Sequence, residues 1–332
     1  MHTPESTAHA TGVKVSRVVF GGNVLGWTAG QATGFAMLDR LVDAGLTTID
    51  TADVYSGWVP GHQGGESESV LGAWLRARGP AQRERVQIMT KVGKRAAANP
   101  PPGEGLSPGY IAQAIDASLA RLGTDYVDVY FSHAFDPAVP QADTLGAYQR
   151  LIDAGKVRAI GASNFSAPQL RDALNIAHAH QLPRYQVLQP EYNLIDRANY
   201  DGPLRDLAIF EHLTVVPYYG LASGFLTGKY RTEADVAGKA RGARVKGYLT
   251  PRGLRVLAAL DEVAAQHGAQ PGEVALAWLM ARPGVTAPIA SATSVAQVDG
   301  LIRATQLSLR PADIAALDEA SAPGPSPVGN AV

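Results

Sequence analysis

The sequence predicts an α/β chain folded as a single (β/α)8 TIM barrel, and three observations carry that reading. Short apolar, β-branched runs alternate eight times with longer amphipathic stretches along the 332 residues. The turn after the first run, Phe20-Gly21-Gly22-Asn23-Val24-Leu25-Gly26, lacks the G-x-G-x-x-G spacing that an open, doubly wound nucleotide-binding sheet would carry there. Polar residues able to do chemistry fall where the runs end, on the rim that carries the functional loops of such a barrel.

Taken in order, the runs predict strands at 15–20, 47–50, 86–91, 126–132, 157–163, 185–189, 214–218 and 286–291. Helix-like stretches lie between and after them, near 33–45, 66–78, 108–122, 140–155, 167–181, 200–212, 250–268 and 294–304. Strict alternation requires a parallel sheet, because each helix is the crossover that returns the chain to start the next strand. Ser107-Pro108 and Ser166-Ala167-Pro168 place a hydroxyl and a proline at helix starts. Gly45, Gly123 and Gly155 stand where helices end. One domain is expected over 13–321, with flexible tails at 1–12 and 322–332. The long loops 92–107 and 228–248 are candidates for function.

Composition narrows the partners. The formal net charge is −1 without long runs of one sign, and 46% of the residues are hydrophobic, enough for a large core. Neither a nucleic-acid surface nor a membrane surface is expected as partner. No cysteine is present, which excludes disulfides, thiolate catalysis and Cys-ligated zinc. The amino terminus has no signal-like apolar core and no stretch is long enough to span a bilayer, so a cytoplasmic protein is expected.

Three strand ends carry the chemistry. Thr48-Ile49-Asp50-Thr51-Ala52-Asp53-Val54-Tyr55 sets an acid and a phenol five residues apart, Ile88-Met89-Thr90-Lys91 adds a lysine, and the run from Val127 ends on His133. Taken singly, each of these residues has an ordinary reading as a cap, packing or a solvated charge. Their joint occurrence carries the argument. With Gly155 to Asn164, Gln189-Pro190-Glu191-Tyr192-Asn193 and Gly224 to Tyr230 in the same order, the chain resembles the aldo-keto reductase superfamily over roughly residues 13–320.

That resemblance implies a nicotinamide-dependent carbonyl reductase in which Asp50, Tyr55, Lys91 and His133 are the catalytic residues. Carbonyl reduction needs a proton on oxygen as well as a hydride on carbon, and the cofactor supplies only the hydride. Tyr55 is the expected acid. Its ordinary pKa of about 10 would be lowered by Lys91, held in place by Asp50, while His133 would donate to the carbonyl oxygen. Ser163, Asn164 and Gln189 are implied to hold the nicotinamide carboxamide, and Tyr218 to stack on its ring. Around the pyrophosphate the resemblance puts Tyr219, Gly220, Leu221, Ala222, Ser223, Gly224, Lys229 and Arg244. Gly22 and Asp50 are also assigned to the cofactor, and Ser291, Thr293 and Gln297 to its adenosine end.

At that end the chain departs from the family's habit. Thr293 stands where a Lys or Arg often grips the 2′-phosphate of NADPH, and Gly300 and Leu301 replace an acid and an amide that commonly meet adenine. NADPH is the expected cofactor, gripped through Arg244 or Arg303, with NADH as the alternative. Trp27, Trp58, Phe135 and Tyr248, beside His133, suggest a small-molecule carbonyl substrate with a ring, such as a sugar or polycyclic ketone. Two rival readings differ in kind. One is a slow nicotinamide-binding regulatory subunit similar to potassium-channel beta subunits, which the 228–248 region also resembles. The other, a metal-dependent sugar isomerase, lacks the carboxylate and histidine clusters that a metal needs, so no metal is expected.

Overall fold

A computed structural model describes residues 7–8 and 12–322. Apart from Thr7–Ala8, Gly12 and Ala322, the stretches expected to be flexible tails lie outside the described residues. Eight parallel strands form one sheet: β1 (Val19–Gly21), β2 (Thr48–Asp50), β3 (Gln87–Val92), β4 (Val127–Ser132), β5 (Val157–Ser163), β6 (Val187–Gln189), β7 (Thr214–Val215) and β8 (Ile289–Ala290). β8 pairs with β1 in the same sense as every other neighbour. The seam between β7 and β8 is closed by the Thr286 N–H on the Val215 carbonyl and the Ile289 N–H on the Pro217 carbonyl, both at 2.8 Å. The sheet is therefore the (β/α)8 barrel that the alternation predicts.

Inside the barrel Val15, Val19, Met89, Val129, Phe131, Ala159, Val187, Val216, Ala287 and Ile289 form one apolar cluster. Phe131 fits because its neighbour is Gly161, where an added Cβ would lie 2.3 Å from the ring. A second, larger core joins the outward strand faces to the helices. Ser166 caps the helix Ala167–His180 by accepting from the Gln169 N–H, whereas Ser107 makes no side-chain cap to Pro108–Leu122.

Three differences from the predicted elements have local causes. The first predicted strand is split, because the Ser16 hydroxyl donates back to the Val18 carbonyl and accepts from Thr48 N–H. The part before the break, Lys14–Val15, pairs antiparallel with Thr7–Ala8 instead. The crossover before β8 ends in two successive helices, Pro251–His267 and Pro271–Met280. The second is buried on all sides from Glu273 to Leu279, so it has no amphipathic period to read. Pro311–Ser321 adds a final helix against Pro251–His267.

Candidate active site

The C-terminal ends of the strands open into a cavity of about 890 Å³ that runs from Tyr55 and His133 to Gln297 and Arg303. Asp50 is the last residue of β2 and is buried. Its Oδ2 accepts from Lys91 Nζ at 2.7 Å and from the Tyr55 hydroxyl at 3.2 Å, and its Oδ1 accepts from Gln189 Nε2 at 2.8 Å. Lys91 on β3 is fully buried and also donates to the Tyr55 oxygen at 2.9 Å and to the Thr51 carbonyl at 2.8 Å. All three ammonium protons thus have partners. Tyr55 reaches this point because the loop after β2 stays close to β3: Thr51 N–H donates to the Met89 carbonyl at 2.8 Å, and a turn from Ala52 to Tyr55 follows.

The charges here balance. Lys91 and Asp50 form a buried pair, and desolvation lowers the lysine pKa while the carboxylate works against that shift. The tyrosine departs from its expectation: burial, followed by the Asp50 carboxylate, pushes the Tyr55 phenol well up rather than down. The lysine is already compensated by Asp50, so its pull on a phenolate is offset and the resting phenol keeps its proton. His133 lies beyond Tyr55, with ring centroids 6.1 Å apart. Burial, then Lys91 and Lys94, hold it well below the usual imidazole range, so it is neutral near pH 7. Its Nδ1 is buried and has no hydrogen-bond partner among the described residues. An orphaned acceptor costs less than an orphaned donor, which favours the tautomer with its proton on Nε2.

Ser163, Asn164, Gln189 and Tyr218 lie together on the wall beside this group. Ser163 donates to the Gln189 carbonyl at 2.9 Å, and Asn164 donates to the His133 carbonyl at 2.8 Å. The Tyr218 hydroxyl donates to Asn164 Oδ1 at 2.7 Å. Tyr219, Gly220, Leu221, Ser223, Gly224 and Lys229 continue the wall. Positive φ values at Tyr219 (57°), Ala222 (46°), Ser223 (58°) and Gly224 (94°) coil this segment tightly. Farther along, Ser291 donates to Asn23 Oδ1 at 2.8 Å, and Thr293 N–H and hydroxyl both meet Gln297 Oε1. Both arginines expected to grip phosphate are paired with carboxylates: Arg244 with Glu191 while lying 4.0 Å from the Tyr219 ring centroid, and Arg303 with Glu273 at 2.8 Å.

Several expected residues stand off the cavity wall. Gly22 is buried against the Asp50 carbonyl, and Gly21 and Asn23 face the space instead. Ala222 is fully buried. Phe135 packs edge-on against Phe165 at 5.6 Å, and Tyr248 turns onto Phe225 at 5.6 Å with its hydroxyl donating to Asp196 at 2.8 Å. These aromatics reach neighbouring core pockets before they can reach the cavity. Trp58 does line it, and Trp27 braces Trp58 from behind at 5.4 Å. Sequence reasoning missed Lys94, Glu191 and Arg241 on the wall. Glu191 lay within a quoted motif, but its pairing with Arg244 across 53 positions had no local signal.

Among the described residues no group of three or more His, Cys, Asp or Glu is placed to hold a metal ion, and no helix is long and apolar enough to cross a membrane.

Comparison with known proteins agrees with the barrel fold. The model of the Aldo/keto reductase family matches residues 17–322. A Schizosaccharomyces pombe protein, named provisionally as a voltage-gated potassium channel subunit beta, is 32% identical over 93% of this chain and 90% of its own. The uncharacterized oxidoreductase YrpG of Bacillus subtilis is 33% identical over 90% of each chain. An L-glyceraldehyde 3-phosphate reductase of Escherichia coli O157:H7 is 30% identical over 87% of this chain and 84% of its own. A barrel with this rim, matched by the family model over nearly its whole length, belongs to the aldo/keto reductase family of oxidoreductases.

Proposed function

We propose that the protein reduces an aldehyde or ketone to an alcohol with NADPH, and that Tyr55 delivers the proton. The observation that carries this is the buried Asp50–Lys91–Tyr55 cluster opening onto the same cavity as a neutral His133. The cavity fits a dinucleotide: its volume lies within the range of about 300–1,000 Å³ usual for ligand sites, and polar groups from several strand ends line it. Ser163, Asn164 and Gln189 would hold the carboxamide against Tyr218. The segment Tyr219 to Gly224 and Lys229 would meet the phosphates, with Arg244 positioned by Glu191, and Ser291, Thr293 and Gln297 would meet the adenosine. NADH is the second candidate, since Arg303 is the nearest cation to Thr293 in sequence and is shared with Glu273.

The nicotinamide supplies the hydride when bound. His133, donating from Nε2, orients the carbonyl and stabilises the negative charge that grows on its oxygen. Tyr55 holds its proton at neutral pH and releases it to that oxygen, after which Lys91 at 2.9 Å stabilises the phenolate. In the resting site the phenol proton points to Asp50, so transfer requires only rotation about the C–O bond. Trp58, whose ring lies 6.1 Å from that of Tyr55, supports a substrate with a ring. The name of the E. coli relative points to an aldehyde, and that of the S. pombe relative to the second reading, a regulatory subunit with slow turnover.

The test is a fluorescence titration with NADPH and NADH, followed by nicotinamide absorbance with a panel of aldehydes and ketones. Tyr55→Phe is expected to lower kcat by about 10²–10⁴-fold while cofactor Kd stays within twofold. Near-normal kcat in that variant removes Tyr55 as the acid, and tight cofactor binding with no carbonyl turned over favours the regulatory subunit.

A further inference from the structure

We infer that Thr90, Glu68, Arg121, Asn99 and Asp53 are positioning residues for the reduction: they form one bracket behind the cavity that holds the Tyr55 loop on β3 and so keeps the phenol at Lys91. The inference rests on the reductase reading and deepens it, since these residues act through Tyr55 without touching substrate or cofactor.

Successive side chains of a strand point to opposite faces, and Lys91 and Thr90 use the two faces of β3 differently. Lys91 shares its face with Met89, which lies in the cluster inside the barrel, and reaches Asp50 and Tyr55. The Thr90 hydroxyl faces the helices and donates to Glu68 Oε1 at 2.5 Å. Glu68, on the helix Glu66–Arg78, accepts through Oε2 from Arg121 Nε at 2.7 Å. Arg121, at the end of the helix Pro108–Leu122, donates from Nη2 to Asn99 Oδ1 at 3.1 Å. Asn99 Nδ2 in turn donates to Asp53 Oδ2 at 2.7 Å, and the Asp53 N–H returns to the Lys91 carbonyl at 3.4 Å. The path closes on itself, joining the residue before Lys91 to the residue two before Tyr55.

Burial makes this path stiff. Thr90, Glu68 and Asp53 are fully buried and Asn99 nearly so, which keeps water from competing, and the links through Glu68 and Arg121 are charge-assisted. The backbone makes room for it: at Gly65, whose φ is 82°, an added Cβ would lie 2.5 Å from Arg121 Nε and push the guanidinium off Glu68. The bracket also gives the long loop 92–107 a task. That loop carries Asn99 and is laid on the loop after β2 by the Ala98 N–H on the Gln63 carbonyl at 3.1 Å. In the cavity, Lys91 and Asp50 hold only the tip of Tyr55, whereas the bracket holds the backbone from which the ring projects. A displacement of about 1 Å at a reacting group can cost about 10²-fold in rate.

Two measurements test this on Thr90→Val, which keeps the shape and removes the hydroxyl, and on Asn99→Leu, which opens the bracket at another link. The first needs no turnover: amide hydrogen exchange is followed by mass spectrometry. In both variants residues 51–57, whose amides at Thr51, Asp53, Tyr55 and Gly57 are hydrogen-bonded, should exchange about tenfold faster. The remote helix Pro203–Phe210 should be unchanged, and Thr90→Ser, which restores the hydroxyl, should exchange like the starting protein. The second measures reduction of an aldehyde that the starting protein accepts. In each variant kcat is expected to fall about tenfold, part of the loss that displacement brings, with KM and NADPH Kd within about twofold. The solvent deuterium isotope effect on kcat/KM should rise, because proton delivery has become slower, and Thr90→Ser should recover both values. The double variant should be little worse than either single one, since a bracket opened once is already open. Unchanged exchange at 51–57 in both variants, or exchange that quickens equally along the whole chain, overturns the inference. So does a lower kcat with an unaltered isotope effect, which marks a smaller folded fraction, or losses that multiply in the double variant. Failure of the starting protein to reduce any carbonyl, with faster exchange at 51–57 in the variants, counts against the reductase reading alone.

Discussion

Asp50 and Asp53 stand three residues apart and meet opposite fates, which depend on how many donors each finds. Asp50 is met by Lys91, Tyr55 and Gln189. Asp53 is as deeply buried, but it accepts from Asn99 at 2.7 Å and its Oδ1 has no partner among the described residues. Burial, then the neighbouring Glu68, raises its pKa well above the ordinary carboxylate range, against the pull of Arg121. Its folded pKa thus exceeds its unfolded one. The contribution of Asp53 to stability is therefore present at low pH and is lost as pH rises through the folded value. Asp53→Asn imitates the protonated acid, so it is expected to raise Tm near pH 8 and to lose that advantage towards pH 4. A lower Tm near pH 8 would mean instead that Arg121 keeps the carboxylate ionised in the fold. Nothing in the local sequence separates the two aspartates, because their side-chain donors lie from 5 to 139 positions away.

Within the elements, the apolar period located all eight strands, since each is short, β-branched and bounded by polar turns. It was silent on Pro271–Met280, whose Glu273–Leu279 stretch is buried all round, and it overran at Ser16, where a side chain competes for backbone partners. Packing between strands shows why β5 carries a glycine. Gly161 faces the Phe131 ring on β4, and a methyl group there would meet Cε1 at 2.3 Å. Gly161→Ala should cost about 1–3 kcal/mol by overpacking, read as a lower urea midpoint. A neutral result would show that the Phe131 ring has space to move. Ser163 lies two residues farther along the same strand, so a shift of β5 would also be felt at the cavity.

For the whole molecule, closure at the β7–β8 seam brings strand ends from distant parts of the chain to one rim. Gln189 meets Asp50 across 139 positions, and Ser291 meets Asn23 across 268. A ligand that spans the rim touches several of these segments at once and so stabilises the fold as a unit. NADPH at 100 times its Kd should add about 2.7 kcal/mol, visible as a rise in Tm. The rise is expected to be larger than with NADH at equal concentration, and Arg303→Gln should narrow the difference. Equal shifts for both nucleotides in the starting protein would assign the grip on the ribose to neutral groups such as Thr293 and Gln297.

The sequence by itself determined the barrel and the order in which Asp50, Tyr55, Lys91 and His133 arrive at its rim. Period and spacing are local properties, and a parallel alternating chain leaves few ways to close. Tertiary structure alone decided which charges cancel. Arg244 and Arg303 found carboxylates, whereas Arg241 pairs with none among the described residues, and Phe135 and Tyr248 turned into neighbouring core. Loops carry no period to orient a side chain, and a charge acquires its partner only when folding brings remote segments within a few ångströms. The electrostatics of the reacting end, including a phenol pushed up rather than down, therefore emerge with the fold.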